Sequence, residues 1–201
     1  MPVASGRRAE YAEATRAAIL EAARELFTTQ GYFGTRVEDI ARAARVAPAT
    51  VYAVGGGKNG LIRELIATAV RSAANAQLLE HIGTVTDPGE LIAFIVTTSA
   101  TKFGQWSGLM RQVVAAAPRE PAVRESLEIA HAGLRGGLAA TARRLEALGA
   151  LRPGLDADEA TDVLWYFLGN SSYFTLTDEL GWPLPRAEAW LTTQLEAALR
   201  P

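Results

Sequence analysis

The sequence predicts an all-α protein of about nine helices. Of its 201 residues 49% are apolar, and alanine, leucine, arginine and glutamate are frequent whereas strand-forming residues are thinly spread. This composition favours helices over sheet. Apolar residues also recur at the i, i+3 and i+4 spacing of an amphipathic helix, and glycine or proline separates the segments that carry this pattern.

Three helices are predicted at the N-terminus. The first covers residues 11–29, with Gly31 after its end. Thr35, followed three residues later by Glu38, predicts a capping box that opens a short second helix. The third begins at Pro48, because proline suits a first helical turn whose N–H has no partner, and it ends before three consecutive glycines.

A fourth helix, over residues 58–80, is predicted to connect the N-terminal domain (1–57) to a C-terminal helical bundle (58–201). Within the bundle, Asp87, Pro88 and Glu90 suit the N-cap, N1 and N3 positions of a fifth helix. The predicted helices that follow the fourth are 87–101, 103–116, 121–148, a segment from Asp156 that is apolar nearly all round, and a last segment after the break at 181–185.

The residue content argues against several classes of site. Without cysteine, disulfides, thiolate metal sites and a cysteine nucleophile are excluded. No apolar run is long enough to span a bilayer, so we expect a soluble, cytoplasmic protein with no membrane partner. With two histidines and no nucleophile elbow, we expect no catalytic residues. The acidic group at 156–162 is interpreted as helix capping, so neither metal nor cofactor is predicted.

Charge is distributed unevenly along the chain. The formal net charge is −2, yet residues 1–60 carry eight Lys or Arg against six Asp or Glu, a balance of +2, and the remaining residues carry twelve against sixteen, a balance of −4. A more basic N-terminal part has the sign expected for a nucleic-acid surface. Arg7 and Arg8 leave two interpretations open, an arm that approaches DNA or a solvated tail.

The segment from Arg16 to Leu61 resembles the DNA-binding signature of the TetR family of transcription regulators. The resemblance is ungapped, covers about a quarter of the chain, and joins helix, turn and glycine positions. The residues that carry it are Ile19-Leu20, Ala22-Ala23, Leu26-Phe27, Gly31-Tyr32, Thr35, Val37, Asp39-Ile40-Ala41, Ala44, Val46, Pro48, Thr50, Val51-Tyr52, Lys58 and Leu61-Ile62. It implies an N-terminal helix-turn-helix domain and a C-terminal domain for ligand binding and dimerisation.

The resemblance also implies which residues contact double-stranded operator DNA. The third helix is expected to enter the major groove, and Arg36 at the start of the second helix is the leading candidate for a base contact. Thr50 and Tyr52 are expected to contact phosphate groups through their hydroxyls, and Lys58 is expected to add a positive charge at the start of the fourth helix, where phosphate could bind. The full set of predicted DNA-binding residues is Thr35, Arg36, Arg45, Pro48, Ala49, Thr50, Tyr52 and Lys58.

Two positions depart from the family pattern. Arg45 stands where the turn glycine is usual, so either it adopts a left-handed conformation at a cost of about 1 kcal/mol or the turn differs. Ala47 replaces the usual serine N-cap of the third helix, which removes about 1 kcal/mol of capping. Both residues affect how the third helix is oriented.

The C-terminal domain carries candidates for two further sites. Aromatic side chains with few polar groups predict a pocket for a small hydrophobic or aromatic inducer, although packing in the core is the alternative for each of them. The predicted ligand-binding residues are Phe103, Trp106, Met110, His131, Trp165, Asn170 and Tyr173. By resemblance the last two helices pair across a twofold axis. The predicted homodimer residues, which would otherwise complete the core, are Leu168, Phe174, Trp190, Leu191 and Leu195.

Together these expectations describe a ligand-responsive repressor that binds a palindromic operator as a dimer. Two alternatives remain: a ligand-binding protein of the same fold that has lost operator binding, motivated by Arg45 and Ala47, and an enzyme that turns over a pocket ligand.

Overall fold

The computed structural model describes residues 3–201, and their side chains from residue 9 onward. The side chains of Arg7 and Arg8 therefore lie outside the described residues. No strand occurs in the described chain, and the prediction of an all-α fold is confirmed. The helices are α1 (Val3–Gly34), α2 (Val37–Ala43), α3 (Pro48–Gly55), α4 (Lys58–Val70), α5 (Ala73–Thr84), α6 (Pro88–Ala116), α7 (Pro121–Ala147), α8 (Ala157–Leu168), α9 (Asn170–Phe174) and α10 (Leu184–Leu199), with a π-helical turn at Thr175–Glu179.

The chain forms two compact units. Unit 1 comprises the chain up to Ala69 together with Gly108–Ala130, and unit 2 comprises Val70–Ser107 and His131–Pro201. These units do not coincide with the predicted domains, since parts of α6 and α7 belong to each of them. The predicted boundary after residue 57 stays a prediction.

Each unit has its own apolar core. Phe27 of α1, Ile40 of α2 and Val51 of α3 are fully buried in unit 1. Burial of large apolar side chains is the main source of stability for such short helices, which are marginal alone. The fully buried residues of unit 2 include Leu91, Ile92, Val96, Leu138, Leu145, Leu164, Leu191, Leu195 and Leu199.

The predicted fourth helix is interrupted. Helix α4 ends at Val70 and α5 begins at Ala73, so the expectation of one helix over 58–80 is wrong. The Asn75 side-chain amide donates to the Val70 carbonyl oxygen at 2.7 Å. This bond stabilises the break because it satisfies a carbonyl at a helix end.

The two helices predicted over 87–101 and 103–116 form one helix, α6. Its start is as predicted, since the Glu90 N–H donates to the Asp87 carboxylate at 2.7 Å. No proline lies between Thr101 and Phe103 to end the first segment, so the helical hydrogen bonds continue. The prediction of a boundary there is wrong.

Glycines shape the later helices of unit 2. Helix α7 continues through Gly133, which permits a close approach of Val70, because an added Cβ would lie 2.8 Å from Val70 Cγ1. At Asp156 the predicted cap is present, because the Glu159 N–H donates to its carboxylate at 2.9 Å. The segment then breaks at Gly169, where an added Cβ would lie 2.8 Å from the Trp165 carbonyl oxygen.

Candidate nucleic-acid interface

The turn between α2 and α3 is a Schellman motif. Arg45 adopts φ 57°, and it is the one non-glycine residue with positive φ in the described part of the chain. Its N–H donates to the Arg42 carbonyl oxygen at 3.2 Å, and the Val46 N–H donates to the Ala41 carbonyl oxygen at 2.9 Å. These two bonds define the motif and close the end of α2. The left-handed alternative predicted for Arg45 is therefore confirmed, and the turn forms without glycine.

Helix α3 is anchored by one buried residue. Its N-cap is Ala47, which provides no side-chain hydrogen bond, and Pro48 follows at the first helical position, both as predicted. Val51 is fully buried, whereas Pro48 and Ala49 are exposed and Thr50 is half-buried. Because α3 buries a single narrow face, the N-terminal turn of the helix stays open to a binding partner.

Tyr52 lies on the exposed side of α3 and is 56% exposed. Its ring packs over the glycine turn that follows, since an added Cβ on Gly57 would lie 3.1 Å from Tyr52 Cε1. Gly56, with φ 66°, caps the helix in the left-handed region. The glycine turn thus limits where the Tyr52 ring can lie, and its hydroxyl faces no described hydrogen-bond partner.

Thr35 has a structural place in unit 1. It is 1% exposed, and its hydroxyl donates to the carbonyl oxygens of Leu26 at 3.1 Å and Gly31 at 2.8 Å. The predicted capping box is wrong, because the N-cap of α2 is Arg36 and no side chain caps it. The DNA contact of Thr35 stays a prediction, and a contact through the hydroxyl would require it to leave these carbonyl acceptors.

The arginines near α2 differ in their partners. Arg42 pairs with Asp39 at 2.9 Å. Arg36 and Arg45 are exposed, and neither takes part in an ion pair with the described residues. A guanidinium without a carboxylate partner keeps its donors available for guanine or phosphate oxygens. The exposed surface of α2 and α3 therefore presents two available cations, one at each end of α2.

Lys58, at the start of α4, is held by α1. Its ammonium donates to the Tyr32 carbonyl oxygen at 2.8 Å and lies 4.4 Å from the centre of the Tyr32 ring. Burial lowers the pKa of Lys58, and the Glu120 carboxylate offsets part of that effect. The predicted phosphate contact is untested, and the ammonium already joins α4 to the end of α1.

Sequence reasoning missed two residues that shape this surface. Tyr32 is 4% exposed, and its hydroxyl donates to the Asn59 side-chain oxygen, so it links α1 to the start of α4. Gly60 permits the crossing from α3 to α4, because an added Cβ would lie 1.6 Å from the Gly55 carbonyl oxygen. The glycine-rich run signalled a turn, but the contact between residues 55 and 60 is invisible without coordinates.

The predicted ligand-binding residues fall into separate groups. In unit 2, Phe103 stacks on Tyr173 with ring centroids 4.7 Å apart, and His131 meets the edge of Trp165 at 5.1 Å. Burial lowers the pKa of His131. Of the remaining predicted residues, Trp106 and Asn170 are half-buried in unit 2, and Met110 is buried in unit 1.

The predicted dimer residues require a correction. Leu168 is 2% exposed and Leu191 and Leu195 are fully buried in the core of unit 2. A side chain without exposed surface cannot contact a second chain, so these leucines complete the core, the alternative interpretation of the sequence. Phe174 is half-buried, and Trp190 is 38% exposed.

Two exposed residues near the dimer candidates were missed. Tyr166 on α8 is 73% exposed, and Leu180 is 55% exposed. Aromatic contacts continue from Tyr166 through Phe167 to Trp190 and Trp182, with ring centroids 5.2–6.3 Å apart. Tyr166 follows the exposed Asp162 by four residues and so lies on the same face of α8, which is a signal of exposure that the sequence analysis did not use.

Two kinds of feature are absent from the part of the chain that the structure describes. It contains no helix long and apolar enough to cross a membrane. Nor does it contain a group of three or more histidine and acidic side chains placed to hold a metal ion.

Comparison with known proteins gives matches in sequence and in structure. The sequence profile of the family described as bacterial regulatory proteins, tetR family, matches residues 19–65. The HTH-type transcriptional repressor NicS of Pseudomonas putida is 28% identical over 98% of this chain and 96% of its own. NalD, the secondary repressor of the MexAB-OprM multidrug efflux pump in Pseudomonas aeruginosa, has a TM-score of 0.71 and 25% identity, covering 95% of this chain and 98% of its own. A complex of SmeT with triclosan has a TM-score of 0.75 at 21% identity, covering 94% of this chain and 92% of its own.

Proposed function

Since the chain belongs to the TetR family of transcription regulators, we propose that it is a ligand-responsive repressor, which binds a near-palindromic operator as a homodimer and is released by a small apolar or aromatic inducer. The observation that carries the proposal is the turn of the helix-turn-helix. Arg45 closes it in a complete Schellman motif although the usual glycine is absent, and this supports the role of α3 as a reader helix. This weakens the motive for the alternative in which operator binding is lost.

Roles at the interface follow from exposure and chemistry. Arg36 is assigned a base contact, because an exposed, unpaired guanidinium can donate two parallel bonds to guanine O6 and N7. Tyr52 and Thr50 are assigned phosphate contacts through their hydroxyls. Pro48 and Ala49 present only apolar surface, which suits thymine methyl groups. Arg45 contributes a second cation beside the turn.

A dimer is proposed from the exposed aromatic surface of unit 2. Tyr166 and Trp190 leave large apolar area exposed at α8 and α10, and burial of such area drives association. In a twofold dimer the two reader helices would lie about 34–36 Å apart, one turn of DNA, so the operator would be close to palindromic.

The operator is tested by fluorescence anisotropy with the DNA upstream of the gene and with scrambled DNA, across a salt series. Arg36→Ala is expected to weaken the specific complex by about 1–3 kcal/mol per half-site and the scrambled complex much less. Arg143→Ala is the matched control, since it removes the same charge from an exposed position on α7 in unit 2.

Two results would count against the repressor. Equal, weak binding of both DNAs would favour the ligand-binding alternative over operator recognition. If Arg36→Ala and Arg143→Ala lost the same affinity for the specific DNA, Arg36 would act only through its charge. The proposed base contact would then have no support.

A further inference from the structure

Tyr173 carries a polar atom that nothing in the chain satisfies. The residue is 1% exposed, and among the described residues its hydroxyl is the one buried side-chain N or O atom without a hydrogen-bond partner. A buried donor without an acceptor is unfavourable, so each such group in a folded protein calls for an explanation, and a bound molecule is one. The position therefore calls for an acceptor that the chain does not supply.

The backbone at Tyr173 is irregular in a way that supports a binding site. Helix α9 begins directly after the break at Gly169 and passes at once into the π-helical turn. The Thr177 hydroxyl, within that turn, donates to the Tyr173 carbonyl oxygen at 2.8 Å. Short π-helical turns occur frequently at functional sites, because they redirect side chains that a regular helix would place elsewhere.

One apolar ring stacks on the hydroxyl-bearing side chain, and a second ring packs against the first. Phe103 of α6 stacks on Tyr173 with an interplanar angle of 19°, and the rings of Phe103 and Phe174 lie 5.4 Å apart. These three residues come from unit 2 alone. Aromatic surface with one convergent polar group is the usual composition of a small-molecule site.

The charge near Tyr173 restricts the kind of partner. Burial and the Glu188 carboxylate raise the pKa of Tyr173, so its hydroxyl is a neutral donor at physiological pH. Glu188 itself accepts a hydrogen bond from the Thr97 hydroxyl at 2.5 Å. An anionic partner at Tyr173 would be repelled by this carboxylate, whereas an uncharged oxygen would not.

We propose that the Tyr173 hydroxyl donates a hydrogen bond to an uncharged oxygen, a carbonyl or ether, of a small aromatic or apolar ligand whose body lies against Phe103 and Phe174. This rests on the proposed function, because it names the ligand class of the inducer site. It adds the polar anchor and the exclusion of carboxylate ligands.

The test uses three probes of one shape. Acetophenone carries a carbonyl oxygen, isopropylbenzene replaces it with a methyl group, and benzoate carries a charge. Their dissociation constants for the full chain are measured by isothermal titration calorimetry. We expect acetophenone to bind about tenfold more tightly than isopropylbenzene, as one added hydrogen bond allows. Tyr173→Phe should abolish that difference, and Tyr11→Phe, which removes an exposed hydroxyl from unit 1, should preserve it.

Several results would overturn the proposal. They are equal binding of acetophenone and isopropylbenzene, tighter binding of benzoate, binding of none of the three, and a preference that survives Tyr173→Phe. Without probes, Tyr173→Phe should not lower the Tm, because it removes only an unpaired hydroxyl. A lower Tm would mean that a trapped water or the chain already satisfies the hydroxyl. The titrations contain no DNA, so failure here is separate from failure of operator binding.

Discussion

Replacing Arg45 separates the conformation of the turn from its charge. At φ 57° an arginine is strained by about 1–2 kcal/mol relative to glycine, because its Cβ approaches the following carbonyl oxygen. Glycine loses more conformational entropy on folding, at a cost of about 0.5–1 kcal/mol, and this cost offsets part of the relief of strain. Arg45→Gly should therefore stabilise the protein by about 0.5–1 kcal/mol, whereas Arg45→Ala keeps the strain and should not.

Urea unfolding followed by circular dichroism measures the difference between these two variants. Each kcal/mol corresponds to about 2–4 °C in Tm for a chain of this length, so thermal unfolding provides a second measurement. The transition midpoint should rise for Arg45→Gly with an unchanged slope, since the surface exposed on unfolding is the same.

The same two variants, which should differ in stability, should be alike in DNA binding. Both variants lack the guanidinium, so both should bind the operator more weakly. The slope of log K against log salt concentration should become shallower by about 0.9 for each phosphate that is no longer neutralised. Equal stability of Arg45→Gly and Arg45→Ala would refute the strain argument. Weak binding by Arg45→Ala alone would show that Arg45 acts through the turn rather than through its charge.

Three further substitutions follow from the structure. Gly60→Ala should destabilise the protein by at least about 2 kcal/mol and abolish operator binding, because its Cβ would meet the Gly55 carbonyl oxygen. Gly83→Ala, in open space on α5, should instead stabilise the protein by up to about 1 kcal/mol. Urea unfolding measures the stability and anisotropy the operator binding, and the same effect from both variants would contradict this reasoning. Since burial lowers the pKa of His131, the unfolded chain binds the proton more readily, so stability is full above pH about 6.5 and falls as the pH drops through that value. His131→Gln should flatten this part of the profile of unfolding free energy against pH, and an unchanged profile would assign the dependence to other groups.

Local rules predicted the helix-turn-helix well and the edges of the later helices less well. The start of α3 at Pro48 and the cap at Asp156 depend on residues next to them in sequence, so patterns sufficed. The break between α4 and α5 depends instead on the Asn75 side chain reaching back to Val70, which no periodicity records. The site candidates divide in the same way: Arg36 is exposed as an N-cap residue, whereas the leucines assigned to the dimer proved to be core.

The sequence by itself determined the fold class and the helix-turn-helix, and it narrowed Arg45 to two conformations, because each follows from residues only a few positions apart. Only the tertiary structure decided which faces of the apolar helices are covered. It placed Leu191 in the core, and it buried the Tyr173 hydroxyl without a partner. The reason is physical: burial and the pairing of a polar atom depend on neighbours distant in sequence, which packing alone brings together.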